Sequence, residues 1–197
     1  MRIRALLFIP ALAAAALAIG VSSASAATLF TSTAHTTRVS VGTTWDATSV
    51  GTIDLTTSPN VKANTCHSVL AGSVTANNMT TGVSLQVTSG TFNCNNRVVT
   101  PTGFPWTLTI SGNGTVIGTN TAYTAALDLV HFDVDTIGTF RGNLTSGITA
   151  VQPNSGTSPI TITAATAGGW LAAPIPGATI DGSYRFTGAA AGWSLTN

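Results

Sequence analysis

Apolar and polar residues alternate along most of the chain beyond residue 50, in runs that end at Gly, Asn, Ser or Pro. The clearest runs cover residues 50–57, 83–87, 106–110 and 123–135. An alternation with period two is typical of a strand with one buried face, because successive side chains point to opposite sides. The runs predict about ten to twelve short strands, arranged as a single antiparallel β-sandwich or a partly closed β-barrel.

Three local patterns refine this prediction. The sequence Gly112-Asn113-Gly114 separates two apolar runs and predicts a type I′ hairpin turn, since Asn-Gly supplies the positive φ angles of that turn. Residues 122–129 are the one helix candidate, but the alternation continues through Asp135 and favours a strand. Residues 164–177 contain paired glycines and two prolines, so we expect a long loop there.

Composition agrees with an all-β fold. Threonine occurs 36 times, whereas Glu is absent and Lys occurs once. Thr is β-branched and suits a half-buried sheet face, and the residues that form the polar side of amphipathic helices are nearly missing. The high apolar content argues against disorder. We predict one all-β domain over residues 27–197.

The first 26 residues have the organisation of a secretory signal peptide. Arg2 and Arg4 precede an apolar run over residues 5–19, and Ala24-Ser25-Ala26 is a small-x-small cleavage site. We predict cleavage after Ala26, which leaves 197 − 26 = 171 residues, and secretion or residence in the cell envelope. An uncleaved membrane anchor is the alternative, and it is disfavoured because the apolar run is short for a membrane span.

Cys66 and Cys94 are the only cysteines. Because an exported chain meets oxidising conditions, we predict a disulfide, which closes a loop of 94 − 66 = 28 residues. Two free buried thiols are the alternative. A zinc site is disfavoured because the adjacent His67 leaves the fourth ligand missing.

The charge balance excludes one class of partner and supplies no catalytic motif. After cleavage the chain carries five basic residues and six aspartates, a net charge of 5 − 6 = −1. Nucleic-acid binding needs a dense Lys/Arg surface and is therefore not expected. Phosphate-binding loops and nucleophile elbows do not occur, so we expect no cofactor, no metal and no catalytic residues.

His131, Asp133 and Asp135 form the one cluster of ionisable residues, and at alternate positions of a strand they share a face. A histidine and two carboxylates can bind a divalent cation or a sugar hydroxyl. The three span about 13 Å along an extended strand, so at most two can reach one ion. The simpler interpretation, which we favour, is the solvent-exposed face of a strand whose other face is buried.

Tryptophan faces can stack on sugar rings, but four tryptophans in a β-domain of this size are more often part of the core. These are Trp45, Trp106, Trp170 and Trp193. We therefore expect them to be buried rather than to form a ligand platform.

Two segments and the cysteine pair carry a resemblance to known proteins. They are Thr-Pro-Thr-Gly-Phe-Pro-Trp-Thr at 100–107 and Ile-Asp-Gly-Ser-Tyr-Arg-Phe-Thr-Gly at 180–188. From Cys66 onward the chain resembles a group of uncharacterised exported all-β proteins of actinobacteria, which implies export and fold but no activity. Residues 103–108 also look like a segment of the mycobacterial outer-membrane porins, although the acidic constriction of those porins is missing.

The leading functional hypothesis is an exported, non-catalytic protein of the cell envelope or extracellular space. Its expected role is structural or binding, with contact to the envelope or to carbohydrate. The alternatives are an oligomeric pore-forming β-barrel of the outer envelope and a secreted hydrolase whose site is assembled from scattered residues. The oligomeric state is left open by the sequence.

Overall fold

The computed structural model describes residues 26–57, 61–136, 138–144, 146–154, 159–168 and 179–196. The predicted all-β fold is confirmed. In the described ranges no helix is both long enough and apolar enough to cross a membrane. The elements in chain order are β1 (Thr28–Phe30), β2 (Thr44–Ser49), β3 (Ile53–Thr57), β4 (Val61–Asn78), β5 (Gly82–Cys94), β6 (Val99–Pro101), β7 (Trp106–Ile117), β8 (Asn120–Val134), β9 (Gly138–Leu144), β10 (Ile148–Pro153), β11 (Thr161–Gly168), β12 (Thr179–Thr187), a short 3-10 helix (Gly188–Gly192) and β13 (Ser194–Thr196).

Antiparallel pairing leads around a closed circuit. β4 pairs with β5, β5 with β7, β7 with β8 and β8 with β10. From there β10 pairs with β11, β11 with β12, β12 with β2, and β2 with β4. β3 also lies between β12 and β4. Because the last pairing returns to the first strand, the sheet is a β-barrel rather than two separate sheets.

The barrel wall is interrupted near one end, which we call the rim: the end where β4 begins and β5 ends. There β6 fills the space between β5 and β8. β9 pairs with the final part of β8. Within the described ranges no register joins β9 to β11. The wall therefore has a gap between these two strands, which we call the β9–β11 break.

The opposite end is covered by a two-stranded sheet, β1 with β13, which we call the end sheet. Asn77 of β4 holds β1 by accepting a hydrogen bond from the Leu29 N–H (2.9 Å) and donating to the Leu29 carbonyl (2.7 Å). Gln152 of β10 holds β13 by accepting from the Leu195 N–H at 3.1 Å. Leu29 and Leu195 are buried, so the end sheet belongs to the core.

Inward and outward side chains differ sharply in polarity. The inward positions of the barrel strands are dominated by buried apolar residues, among them Trp45, Leu70, Leu85, Leu108, Phe132, Ile148 and Phe186. The outward positions between them are half-buried or exposed hydroxyl and amide residues, among them Ser84, Gln86, Thr107, Thr109, Thr124 and Thr149. The period-two alternation in the sequence is the direct cause, since each strand has one face toward the interior.

The predicted disulfide is confirmed. Cys66 and Cys94 lie directly opposite each other on β4 and β5, with their Cα atoms 4.0 Å apart, and they are bonded. Cys66 is fully buried. The bond joins the two longest contiguous neighbours of the wall close to the rim.

The predicted turn at Gly112–Gly114 is wrong. β7 continues through these residues to Ile117, and the chain turns at Gly118 and Thr119. A register shift between Ser111 and Thr115 absorbs the glycines as a bulge. A side chain at Gly114 would collide with the ring of Tyr123, so glycine is needed there for packing rather than for turning.

Two further expectations change in detail. Several strands are longer than predicted, with 18 residues in β4 and 15 in β8, because bulges let a strand continue where the alternation slips. The loop expected over 164–177 begins later, since residues 164–168 belong to β11. The rest of that prediction lies outside the described residues, as does nearly all of the signal peptide.

Candidate functional site

The structure gives the predicted ionisable face three separate environments. His131 on β8 accepts a hydrogen bond at Nε2 from Arg141 Nε on β9, at 3.3 Å. Asp133, two residues on, accepts a hydrogen bond from the hydroxyl of Thr139. The two side chains thus have different partners on the same neighbouring strand.

Asp135 lies just beyond the end of β8, and its backbone N–H donates to the Val98 carbonyl at 2.9 Å. Asp133 and Asp135 line an open groove whose remaining walls are Val98, Thr100, Val134, Thr136, Gly138 and Thr139. His131 is not part of that groove. In the described part of the chain, no group of three His, Cys, Asp or Glu residues could hold a metal ion. Ligand binding on this face stays a prediction.

The described tryptophans are core residues. Trp45, Trp106 and Trp193 are 4%, 1% and 3% exposed, and Trp170 lies outside the described residues. The ring of Phe186 contacts Trp45 edge-on at 5.5 Å and Trp193 at 5.6 Å between centroids. These aromatic contacts link the barrel interior to the 3-10 helix and end-sheet region, so the rings stabilise the fold and offer no stacking surface.

The interior contains an apolar cavity of about 60 Å³ that sequence analysis missed. All of its lining side chains are aliphatic or aromatic, and they come from β2, β4, β5, β7, β8, β9, β10, β11 and β12. Small residues contribute to the unfilled space: Ala47 and Ala164 both line it. Such small inward positions were the available sequence signal, but their meaning depends on which strands face each other across the barrel.

Tyr184 is the one lining residue with a hydroxyl group. Burial raises the pKa of Tyr184, and a hydrogen bond with Ser68 opposes part of that rise. Ser68 is 2% exposed and lies on β4. The hydroxyl therefore has a partner within the wall, and the cavity has no ionised group at its surface.

The outer wall carries a row of hydroxyl side chains. Five neighbouring strands, from β7 to β12, place a Ser or Thr at directly paired positions: Ser111, Thr124, Thr149, Thr163 and Ser183. The last two hydroxyls are 3.0 Å apart and hydrogen-bonded. This uncharged row follows the curvature of the barrel and is the surface most suited to contact with a carbohydrate.

No protein-family model, curated protein or solved structure matches this chain.

Proposed function

We propose that the protein is exported and acts as a non-catalytic binding protein of the extracellular space or cell envelope, holding an apolar group inside its barrel. The single observation that carries this proposal is the apolar cavity enclosed by the wall and covered at one end by the end sheet. Antiparallel barrels of about eight strands are wide enough to hold one small ligand. Polar side chains on the outside leave the interior as the apolar binding surface.

Export is supported by the pattern of residues 1–26 and by the disulfide. A Cys66–Cys94 bond is compatible with an oxidising, exported environment. Cleavage after Ala26 leaves Ala27 as the first residue, directly before β1 of the end sheet. Membership of the exported all-β group of actinobacteria is part of the same proposal.

The alternatives have less support. A pore-forming barrel needs apolar side chains facing lipid and polar ones facing the lumen, which is the reverse of the polarity seen here. For a hydrolase, a catalytic histidine is normally oriented by a carboxylate. His131 is instead contacted by Arg141, and that arrangement favours a non-catalytic role.

Expression of the full chain in an exporting bacterial host tests the proposal. We expect the protein in the medium or envelope fraction, with Ala27 at its N-terminus by Edman sequencing. Solvent extraction of the native protein should release an apolar molecule detectable by mass spectrometry, and protein stripped by denaturation and refolded without ligand should release none. A double variant, Leu6→Arg with Leu7→Arg, interrupts the apolar run and should stay in the cytoplasm unprocessed.

Three results would count against the proposal. These are retention of the wild-type chain in the cytoplasm, clear turnover of an ester, peptide or glycoside substrate by the purified protein, and native protein that releases nothing beyond what the stripped control releases.

A further inference from the structure

We infer that the cavity takes a wholly apolar group, the size of one six-membered ring or a short alkyl chain, which enters through the β9–β11 break. This inference rests on the proposed binding function and adds the ligand's size, its chemical class and its route. Each of the three follows from a different feature of the barrel.

The size follows from the volume. A water-sized group needs about 10–15 Å³ of cavity measured in this way. The 60 Å³ present therefore holds roughly four to six such groups. That is enough for a benzene ring or a chain of four to six carbons, and too little for a sterol or a long acyl chain without rearrangement of the wall.

The chemical class follows from the lining. The walls are built from side chains such as Leu70, Val87 and Leu127, and the Tyr184 hydroxyl already has Ser68 as its partner. A bound water needs two to four polar partners, and an apolar cavity stays dry for lack of them. A ligand with a buried hydroxyl, amide or charge would lose its hydrogen bonds to water without replacement, so such ligands are rejected.

The route follows from the closure of the barrel. At the far end, the buried residues Leu29, Trp193 and Leu195 cover the interior. Toward the rim, β9 has a partner on one side only within the described ranges, and it faces β11 across the break.

On β9 the inward residues Phe140 and Leu144 are buried, and the inward position between them is Gly142, which has no side chain. Leu144 and Ala164, which flank the break, also line the cavity. The break is therefore continuous with the apolar interior and lacks a side chain at its middle.

Methyl-detected NMR of the refolded, disulfide-bonded protein, titrated separately with benzene and n-hexane, tests the site. We expect saturable shift changes confined to cavity methyls such as Leu70, Val87 and Ala164. Ala47→Leu fills the cavity and should weaken binding at least tenfold, as should Ala164→Leu on β11. Ala126→Leu adds the same atoms on the outer face of β8 and should leave binding within twofold of wild type.

The combination of two filling variants keeps the test decisive, because either one that retains a dispersed spectrum suffices. If neither folds, the smaller changes Ala47→Val and Ala164→Val must still weaken binding. Absence of saturable shifts in the wild type, or equal binding by wild type and a folded filling variant, would overturn the inference.

The route has its own readout. Gly142→Val places a branched side chain in the break without entering the cavity. We expect the exchange rate of benzene, from line-shape analysis, to fall at least tenfold while affinity stays within twofold. An unchanged exchange rate would show that ligands enter elsewhere.

Failure here is separable from failure of the proposed function. If native exported protein releases an apolar molecule and Ala47→Leu releases as much, the protein binds a ligand at some other surface. If nothing is released and benzene still binds the cavity, the site exists but the proposed binding role is wrong.

Discussion

Tyr184 illustrates how one residue links the interior to a measurable property. Burial raises its pKa above the ordinary value of 10.0. A raised folded-state pKa means that the contribution to stability is complete below about pH 10 and is lost as the pH rises from there toward the folded-state pKa. The unfolding free energy should then fall by up to about 1.4 kcal/mol per pH unit in that window.

Urea unfolding between about pH 8 and 11 checks this expectation against Tyr184→Phe, which keeps the ring and removes the titrating group. We expect a shallower decline in the variant. Some decline should remain, since burial also raises the pKa of Tyr123. Identical slopes in the two proteins would show that Tyr184 is not held in its neutral form by the fold.

Gly72 is the position where the wall leaves least room for a side chain. A Cβ there would overlap the backbone carbonyl of Gln86 and lie 2.8 Å from the indole of Trp45. Gly72→Ala should therefore cost about 3 kcal/mol or more. Gly192→Ala is the matched control, because its nearest neighbour, the Thr31 carbonyl oxygen, is 3.6 Å away. Chemical denaturation giving equal losses for both would contradict this packing.

Among the elements, the β4–β5 pair has the covalent link. Cys94→Ala should lower the free energy of unfolding by about 2–4 kcal/mol, since the bond closes a loop of 28 residues in the unfolded chain. The far-UV circular dichroism spectrum should keep its strand character. Non-reducing mass spectrometry of the wild type should show the Cys66–Cys94 cross-link, and two alkylatable thiols would contradict it.

The end sheet depends on one amide. Asn77 exchanges hydrogen bonds with Leu29 and donates a further one to the Val39 carbonyl at 2.9 Å. Asn77→Ala leaves these buried backbone groups unpaired and should cost about 2–4 kcal/mol. Hydrogen exchange at the Leu29 amide should accelerate with it.

The neighbouring Asn78 supplies the control for that experiment. It is exposed and accepts hydrogen bonds from the Thr80 and Thr81 N–H groups within a turn. Asn78→Ala should cost about 1 kcal/mol and leave Leu29 exchange unchanged. Equal effects of the two substitutions would mean that Asn77 does not hold the end sheet.

Elements were predictable where the alternation is uninterrupted. The strand over 123–135 was expected from its pattern, and β8 covers it to Val134. The Gly112–Gly114 turn was wrongly predicted because a glycine pair has the same sequence signature in a turn as in a bulge. What decides between them is Tyr123 on the next strand, whose ring occupies the space beside Gly114.

At the scale of the whole molecule, alternation predicts which face of each strand is buried but not which strands meet. Closure of the barrel depends on pairings such as β12 with β2, between residues 184–187 and 46–49. The end sheet likewise joins the two ends of the described chain. The cavity is a consequence of closure, because Ala47 and Ala164 leave a void only when β2 and β11 face a common interior.

The central claim is a closed barrel with a dry, apolar interior site. A crystal structure of the disulfide-bonded protein under xenon pressure tests it most directly, since xenon occupies accessible apolar cavities and avoids polar ones. We predict one xenon peak inside the barrel, between Trp45 and Leu144, with no ordered water beside it. An interior without xenon, or one filled with hydrogen-bonded water, would contradict the account.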